Sequence, residues 1–171
     1  MKKITTKKLV MTALFMAFTI IATMFIRIPI TFGYVNLGDA FIFLAVFILG
    51  PFCGAIVGGV GAGIADLLGF AAYAPGTLVI KSLMAIVTWL IYKTLKGIFK
   101  SNTFAEIVAG TVGALVMTAG YFIYEALLFT TVWAAFLNAP WSLLQGMVGV
   151  AIAVATMRVL TATKVLNKFK F

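Results

Sequence analysis

The chain has 171 residues, of which 64% are hydrophobic and 10% are charged, and its mean hydropathy is +1.18. A soluble domain carries about 25% charged residues, so this composition excludes a soluble globular protein, a disordered chain and a nucleic-acid binder, in spite of the net charge of +9. A spanning helix needs about 20 apolar residues. The sequence therefore predicts an all-α integral membrane bundle of six helices, forming one domain over residues 1–171.

Six apolar segments follow one another along the chain. The first runs from Leu9 to Ile26 and exceeds the length of a signal-peptide core, with no small-x-small cleavage site after it. The later helices are predicted over Asp39–Gly50, Pro51–Leu68, Thr77–Leu95, Phe104–Val132 and Trp141–Leu160. Loops are predicted between the first and second helices and over Trp133–Pro140.

The third helix is rich in glycine. Gly54 and Gly58 form one small-xxx-small pair, and Gly59 and Gly63 form another. Such pairs allow another helix backbone to approach closely, so they predict tight helix packing rather than a ligand site.

Positive charge is distributed unevenly between the two sides of a six-helix bundle. Eleven of the 13 basic residues would lie on the side of the two termini, while Arg27 lies on the other side and Lys81 lies within the fourth helix. The eleven are Lys2, Lys3, Lys7, Lys8, Lys93, Lys96, Lys100, Arg158, Lys164, Lys168 and Lys170. Because basic loops stay inside the cell, both termini are predicted to be cytoplasmic, where the tail lysines also meet anionic lipid of the bilayer.

The residues needed for common catalytic chemistry are missing. The sequence has no His and a single cysteine, Cys53, which leaves neither a His-based general base nor a cysteine metal cluster. An intramembrane enzyme would have to use Glu125 or Asp66 as its base, without a second carboxylate at a defined spacing. The sequence predicts no catalytic residue, no metal ion, no cofactor and, since it has no Walker A motif, no ATP hydrolysis by this chain.

Three of the four acidic residues lie near predicted helix ends. Glu106 is expected to cap the fifth helix, where a carboxylate suits the helix dipole. Asp39 is expected to cap the second helix or to contact a ligand. Asp66 is expected either to pair with Lys81, because pairing lowers the cost of charges in lipid, or to contact a ligand.

Glu125 lies deeper, about two turns inside the fifth helix, and Tyr121 lies four residues before it on the same face. A carboxylate at that depth needs a cavity or a partner. Trp141 and Gln145 are likewise four residues apart on the sixth helix, at a similar distance from the intervening loop. Glu125, Tyr121, Trp141 and Gln145 are therefore predicted to wall a polar cavity.

The intramembrane polar residues gather in the outer half of the predicted bundle. They are Asn36, Asp39, Asp66, Tyr73, Lys81, Tyr121, Glu125, Trp133, Asn138, Trp141 and Gln145. A self-sufficient secondary carrier or channel, which is the main alternative, needs polar groups through its whole depth. The pattern favours a cup that is open to the outside and suits a small heterocycle; a structural membrane subunit without a ligand is a further alternative.

Five short motifs follow one another along the chain. They are Ala13-x-x-x-Ala17, Asn36-Leu37-Gly38-Asp39, Leu49-Gly50-Pro51, Ala65-Asp66-Leu67-Leu68 and the run from Ala74 to Met84. With the basic N-terminus, this order resembles the S components of energy-coupling factor (ECF) vitamin transporters over essentially the whole chain. It is most similar to the riboflavin-type family, which includes hydroxymethylpyrimidine and pyridoxine binders.

The resemblance implies a multi-pass protein of a bacterial cell membrane that binds one vitamin from outside. It implies docking on a transmembrane T subunit driven by two ATPase subunits, through small residues matching Ala13 and Ala17. By position in the family, the binding site maps onto Asn36, Lys81, Glu125 and Gln145. Because the cup is expected to be neither strongly acidic nor strongly basic, a small near-neutral ring such as hydroxymethylpyrimidine or pyridoxine is favoured, and riboflavin comes next.

Overall fold

The computed structural model describes residues 5–30, 34–99, 101–128 and 131–164. Six helices account for nearly all of these residues: α1 (Thr6–Phe25), α2 (Gly38–Leu49), α3 (Pro51–Gly69), α4 (Ala74–Ile98), α5 (Asn102–Leu128) and α6 (Val132–Ala162). All except α2, which has 12 residues, are long and apolar enough to cross a membrane. The predicted all-α membrane bundle of six helices is confirmed.

A short β-hairpin replaces the loop predicted between α1 and α2. Strand β1 (Arg27–Pro29) pairs antiparallel with β2 (Tyr34–Asn36), so that Arg27 faces Asn36 and Pro29 faces Tyr34. Residues 31–33 between the strands lie outside the described residues. The hairpin places Tyr34 and Asn36 over one end of the bundle, which is called the hairpin end below.

The boundary between α5 and α6 differs from the prediction. Helix α5 ends at Leu128 and does not continue to Val132, whereas the predicted loop over residues 133–140 is the first part of α6. Thr131 caps α6, since its hydroxyl accepts a hydrogen bond from the Ala134 N–H, as Thr commonly does at a helix N-terminus. Pro140 lies inside the helix, so its interpretation as a helix boundary was wrong.

The glycines of α3 bring its backbone against α4, as their spacing predicted. A Cβ atom at Gly58 would lie 3.0 Å from the Lys81 carbonyl oxygen, and one at Gly59 would lie 2.7 Å from the Leu78 carbonyl oxygen. The same part of α3, Ile56–Gly61, forms a π-helical segment, a local widening that is common at functional sites. Close contact between α3 and α4 holds the backbone of Lys81 in the centre of the bundle.

An ion pair between a buried carboxylate and a partly exposed arginine lies at the opposite end of the bundle from the hairpin. The Glu106 carboxylate near the start of α5 is 1% exposed and accepts a hydrogen bond from the Arg158 guanidinium near the end of α6. The expectation that Glu106 caps its own helix was therefore wrong, because its side chain points between α5 and α6. The start of α1 and the end of α6 lie at this same end, as an even number of helices requires.

The predicted orientation can be tested with topology reporters. A reporter fused after residue 171 and one inserted at Lys100 should both be cytoplasmic, since eleven basic residues are predicted to share that side. A reporter inserted near Tyr73, at the hairpin end, should be outside. A protease-accessible or glycosylated C-terminal reporter would overturn the orientation.

Candidate functional site

A polar pocket opens at the hairpin end, where the hairpin and all six helices meet. Its empty space is about 550 Å³, counting the space at its open mouth. The lining residues come from every helix and from the segment that joins α3 to α4. They are Thr23, Ile30, Tyr34, Asn36, Asp39, Ala62, Asp66, Phe70, Tyr73, Thr77, Lys81, Tyr121, Glu125, Ser142 and Gln145.

The floor of the pocket is organised around a buried ion pair between Lys81 on α4 and Asp39 on α2. The two side chains are 3% and 1% exposed, and the Lys81 Nζ donates a hydrogen bond to the Asp39 Oδ1. Gln145 Nε2 donates to the other oxygen of Asp39 at 2.7 Å. Lys81 Nζ also donates to the Met117 sulfur at 2.8 Å and lies 5.6 Å from the centroid of the Tyr121 ring.

This arrangement corrects two expectations about the acidic residues. Lys81 pairs with Asp39, so the expected pairing of Asp66 with Lys81 was wrong. Asp39 does not cap α2, because its carboxylate points into the bundle toward Lys81 and Gln145. A buried ion pair offsets its desolvation cost only when further hydrogen bonds satisfy the carboxylate, and Gln145 supplies one of them.

Asn36 joins the hairpin to the floor of the pocket. Its backbone N–H donates to the Gln145 Oε1 at 2.9 Å. Its side-chain oxygen accepts hydrogen bonds from the Gly38 N–H at 2.9 Å and from the Thr23 hydroxyl at 3.3 Å. Gln145 therefore contacts both Asp39 and the hairpin, and it links the hairpin that covers the pocket to the ion pair at the pocket floor.

The Asp66 carboxylate, on α3, forms one wall of the pocket. The Tyr34 hydroxyl donates to its Oδ1 and the Thr77 hydroxyl donates to its Oδ2. The Thr77 and Tyr121 hydroxyls lie 2.8 Å apart and are also hydrogen-bonded. Burial, reinforced by the Asp66 carboxylate, raises the pKa of the Tyr34 hydroxyl well above its usual range, so this hydroxyl stays protonated and remains a donor.

Glu125 forms another part of the pocket wall, as its depth in the fifth helix predicted. Its side chain is 4% exposed. Its Oε1 accepts a hydrogen bond from the Tyr73 hydroxyl at 3.0 Å, and its Oε2 accepts one from the Asn138 side-chain amide at 3.3 Å. The aromatic ring of Tyr73 lies beside that of Tyr121, with centroids 6.3 Å apart, so aromatic surface and carboxylate are presented together.

Six of the seven residues that the sequence assigns to ligand binding line this pocket: Asn36, Asp39, Lys81, Tyr121, Glu125 and Gln145. Trp141 does not; its side chain is 45% exposed, while its neighbour Ser142 faces the pocket. Successive residues of a helix point about 100° apart, and Trp141 therefore faces outward while Ser142 faces the interior.

Sequence reasoning missed Thr77, although a signal for it existed. Tyr73, Thr77 and Lys81 follow one another at intervals of four residues, which places polar groups on one face at the start of α4. Tyr34 carried no comparable signal, since its contact with Asp66 depends on how the hairpin folds back over the bundle.

The two alanines assigned to partner docking lie away from the pocket. Ala13 and Ala17 are both exposed on α1, one turn apart. Large apolar side chains around them, including Leu14 and Phe18, are also exposed. This face of α1 is available to lipid or to another membrane helix.

Known proteins with the same fold match nearly the whole chain. The family described as "ECF-type riboflavin transporter, S component" matches residues 3–166. A solved structure titled "Structure and mechanism of the S component of a bacterial ECF transporter" has the same fold, with a TM-score of 0.71 and 20% identity over 92% of this chain and 96% of that chain.

A curated relative is less informative about function. It is a protein of Pyrococcus woesei described as "Uncharacterized protein in gap 3'region", and it is 39% identical over 106 residues. The match covers 59% of this chain and 66% of that protein, which is just under two thirds of its length. The match to residues 3–166 confirms the resemblance found in the motifs: the chain belongs to the S-component family of ECF-type riboflavin transporters, multi-pass proteins of the cell membrane.

Proposed function

We propose that this S component captures a small vitamin or vitamin precursor from outside the cell in the hairpin-end pocket. Hydroxymethylpyrimidine and pyridoxine are the favoured ligands, and riboflavin comes next. The observation that carries the proposal is the convergence of Lys81, Asp39, Gln145 and Glu125 from four helices on one pocket. A few fixed polar groups among aromatic walls are typical of a site that binds a small ring.

The residues beneath the pocket favour a binding subunit and argue against an open channel. One turn below Asp39 and Lys81 lie Phe43 and Met84, both fully buried in the apolar core. A channel needs a polar or hydrated path at this depth, whereas an apolar floor closes the pocket toward the interior. Delivery of the ligand would therefore require a rearrangement of the subunit or of its surroundings.

We propose that this rearrangement is driven by a transmembrane T subunit with two ATPase subunits. The family consists of transporter S components, and the sequence offers no nucleotide-binding motif that would let the chain hydrolyse ATP. The exposed Ala13 and Ala17 on α1 are suited to close contact with a partner helix, because small residues let two backbones approach.

A single substitution in the pocket tests the proposed site. Glu125→Gln should weaken binding by about 10- to 150-fold, the effect of losing one charge-assisted hydrogen bond. The measurement is isothermal titration calorimetry of the purified chain with hydroxymethylpyrimidine, pyridoxine and riboflavin. Glu106→Gln makes the same change at the other end of the bundle and should leave the affinity unaltered.

The outcome also separates a ligand contact from a structural role. If Glu125→Gln keeps its affinity but unfolds at a lower temperature, Glu125 serves as a structural partner of Tyr73 and Asn138. The binding site would then have to lie elsewhere.

A further inference from the structure

The charges in the pocket differ from those the sequence led us to expect. A near-neutral cup was expected, but the lining contains three carboxylates, Asp39, Asp66 and Glu125, and one ammonium group, Lys81. Lys81 contacts Asp39, so that pair is neutral as a unit. The remaining acidity of the pocket bears on which ligand it can accept.

The Asp66 side chain accepts hydrogen bonds at both of its oxygens. One comes from the Tyr34 hydroxyl and the other from the Thr77 hydroxyl. A carboxylate offers about four acceptor positions, so two hydrogen bonds leave acceptor capacity on Asp66, which lines the pocket.

Within the described residues, the ion pairs are Lys81 with Asp39 and Arg158 with Glu106, and Asp66 takes part in neither. Arg27 lies 4.5 Å from the centroid of the Tyr34 ring and donates to the Thr23 carbonyl at 2.9 Å. Arg27 therefore lies against the ring of Tyr34 and, like Lys81, acts on Asp66 through longer-range electrostatics rather than through an ion pair. A buried carboxylate at membrane depth is costly without a cation or additional donors, and a ligand can supply either.

The hydroxyl groups around Asp66 have no protons left to offer. Tyr34 and Thr77 donate to Asp66, so in the contact between Thr77 and Tyr121 the Tyr121 hydroxyl must be the donor. A hydroxyl has one proton and two acceptor lone pairs. This wall of the pocket therefore presents acceptors only, and a ligand must bring the donors.

We infer that Asp66 is the specificity-determining residue of the pocket, and that it selects a ring bearing an amino group or a protonated ring nitrogen. Rings whose polar groups only accept hydrogen bonds meet a wall of acceptors and are rejected. Site-built polar groups discriminate strongly against ligands that leave them unpaired. The inference rests on the proposed function, since it assigns a chemical class to the ligand of the same site.

A matched pair of probes tests the inference. One probe is hydroxymethylpyrimidine, which carries an amino group, and the other is its analogue with a hydrogen atom in place of the amino group. Calorimetry on the wild-type chain should show at least about tenfold tighter binding of the amino compound. Asp66→Asn should remove most of this difference, while Glu106→Gln should preserve it.

Each outcome bears on a different claim. Equal affinities of the two probes for the wild-type chain would overturn the inference and leave the proposed function standing, and this arm needs no variant to fold. A preference that persists unchanged in Asp66→Asn would also overturn it. If neither probe, nor pyridoxine, nor riboflavin binds the wild-type chain, the proposed function fails and the inference fails with it.

Discussion

Replacing Lys81 by methionine should lower the free energy of unfolding by about 3–5 kcal/mol and abolish ligand binding. The substitution keeps the length and apolar character of the side chain but removes the ammonium group that contacts Asp39. Since Asp39 is 1% exposed, its carboxylate would be left buried with only the Gln145 amide as a hydrogen-bond donor among the described residues. The uncompensated negative charge of Asp39 would distort the floor of the pocket.

Thermal unfolding in detergent measures the loss of stability, and a matched variant on the same helix controls for it. Lys93 is exposed on α4 and lies 4.9 Å from the centroid of the Trp89 ring, so Lys93→Met should change stability by no more than about 0.5 kcal/mol. Adding Asp39→Asn to Lys81→Met should restore much of the lost stability. Equal unfolding temperatures for Lys81→Met and Lys93→Met would contradict the central role of the ion pair.

Replacing both Ala13 and Ala17 by tryptophan should reduce uptake at least about tenfold while leaving the ligand affinity of the isolated chain unchanged. Two bulky side chains one turn apart would separate α1 from a partner helix that needs close contact. Neither alanine lines the pocket, so binding should be spared. Uptake into cells that contain the energising module, compared with calorimetry on the purified variant, separates the two effects.

The chain provides a control pair with the same spacing. Ala151 and Ala155 are exposed on α6 and also lie one turn apart, and their replacement by tryptophan should leave uptake close to that of the wild type. Normal uptake with both Ala13 and Ala17 replaced would mean that this face of α1 does not dock. A loss of uptake in the α6 pair alone would move the docking face to α6.

The positions of the pocket residues along each helix were predictable, whereas their pairing was not. Glu125 and Gln145 were expected at the same depth because the loop was placed over residues 133–140. Since α6 begins at Val132, Glu125 is level with Asn138, which donates to it. Gln145 lies about two turns deeper, beside Asp39. Lys81 could pair with Asp39 or Asp66, since both were expected near the same end. The choice depends on how α2 and α3 are rotated about their axes, and the close contact of the α3 glycines with α4 fixes the rotation of α3.

Local signals explain the remaining differences. Pro140 was interpreted as a helix boundary, but a membrane helix tolerates proline when neighbouring groups satisfy its backbone, and the hydroxyl of Thr131 was the better indication of where α6 begins. The hairpin was missed because β1 and β2 have three residues each, too few to show an alternating pattern. As a result Tyr34, which donates to Asp66, was not predicted as a site residue.

Uptake into proteoliposomes tests the central claim most directly. Vesicles that contain the purified chain alone would be compared with vesicles that also contain the T subunit and both ATPases, using radiolabelled hydroxymethylpyrimidine, pyridoxine or riboflavin, whichever binds in calorimetry. A substrate-binding subunit should give binding but no accumulation alone, and ATP-dependent accumulation with the full module. Accumulation by the chain alone, without ATP, would contradict the account and would identify a self-sufficient carrier.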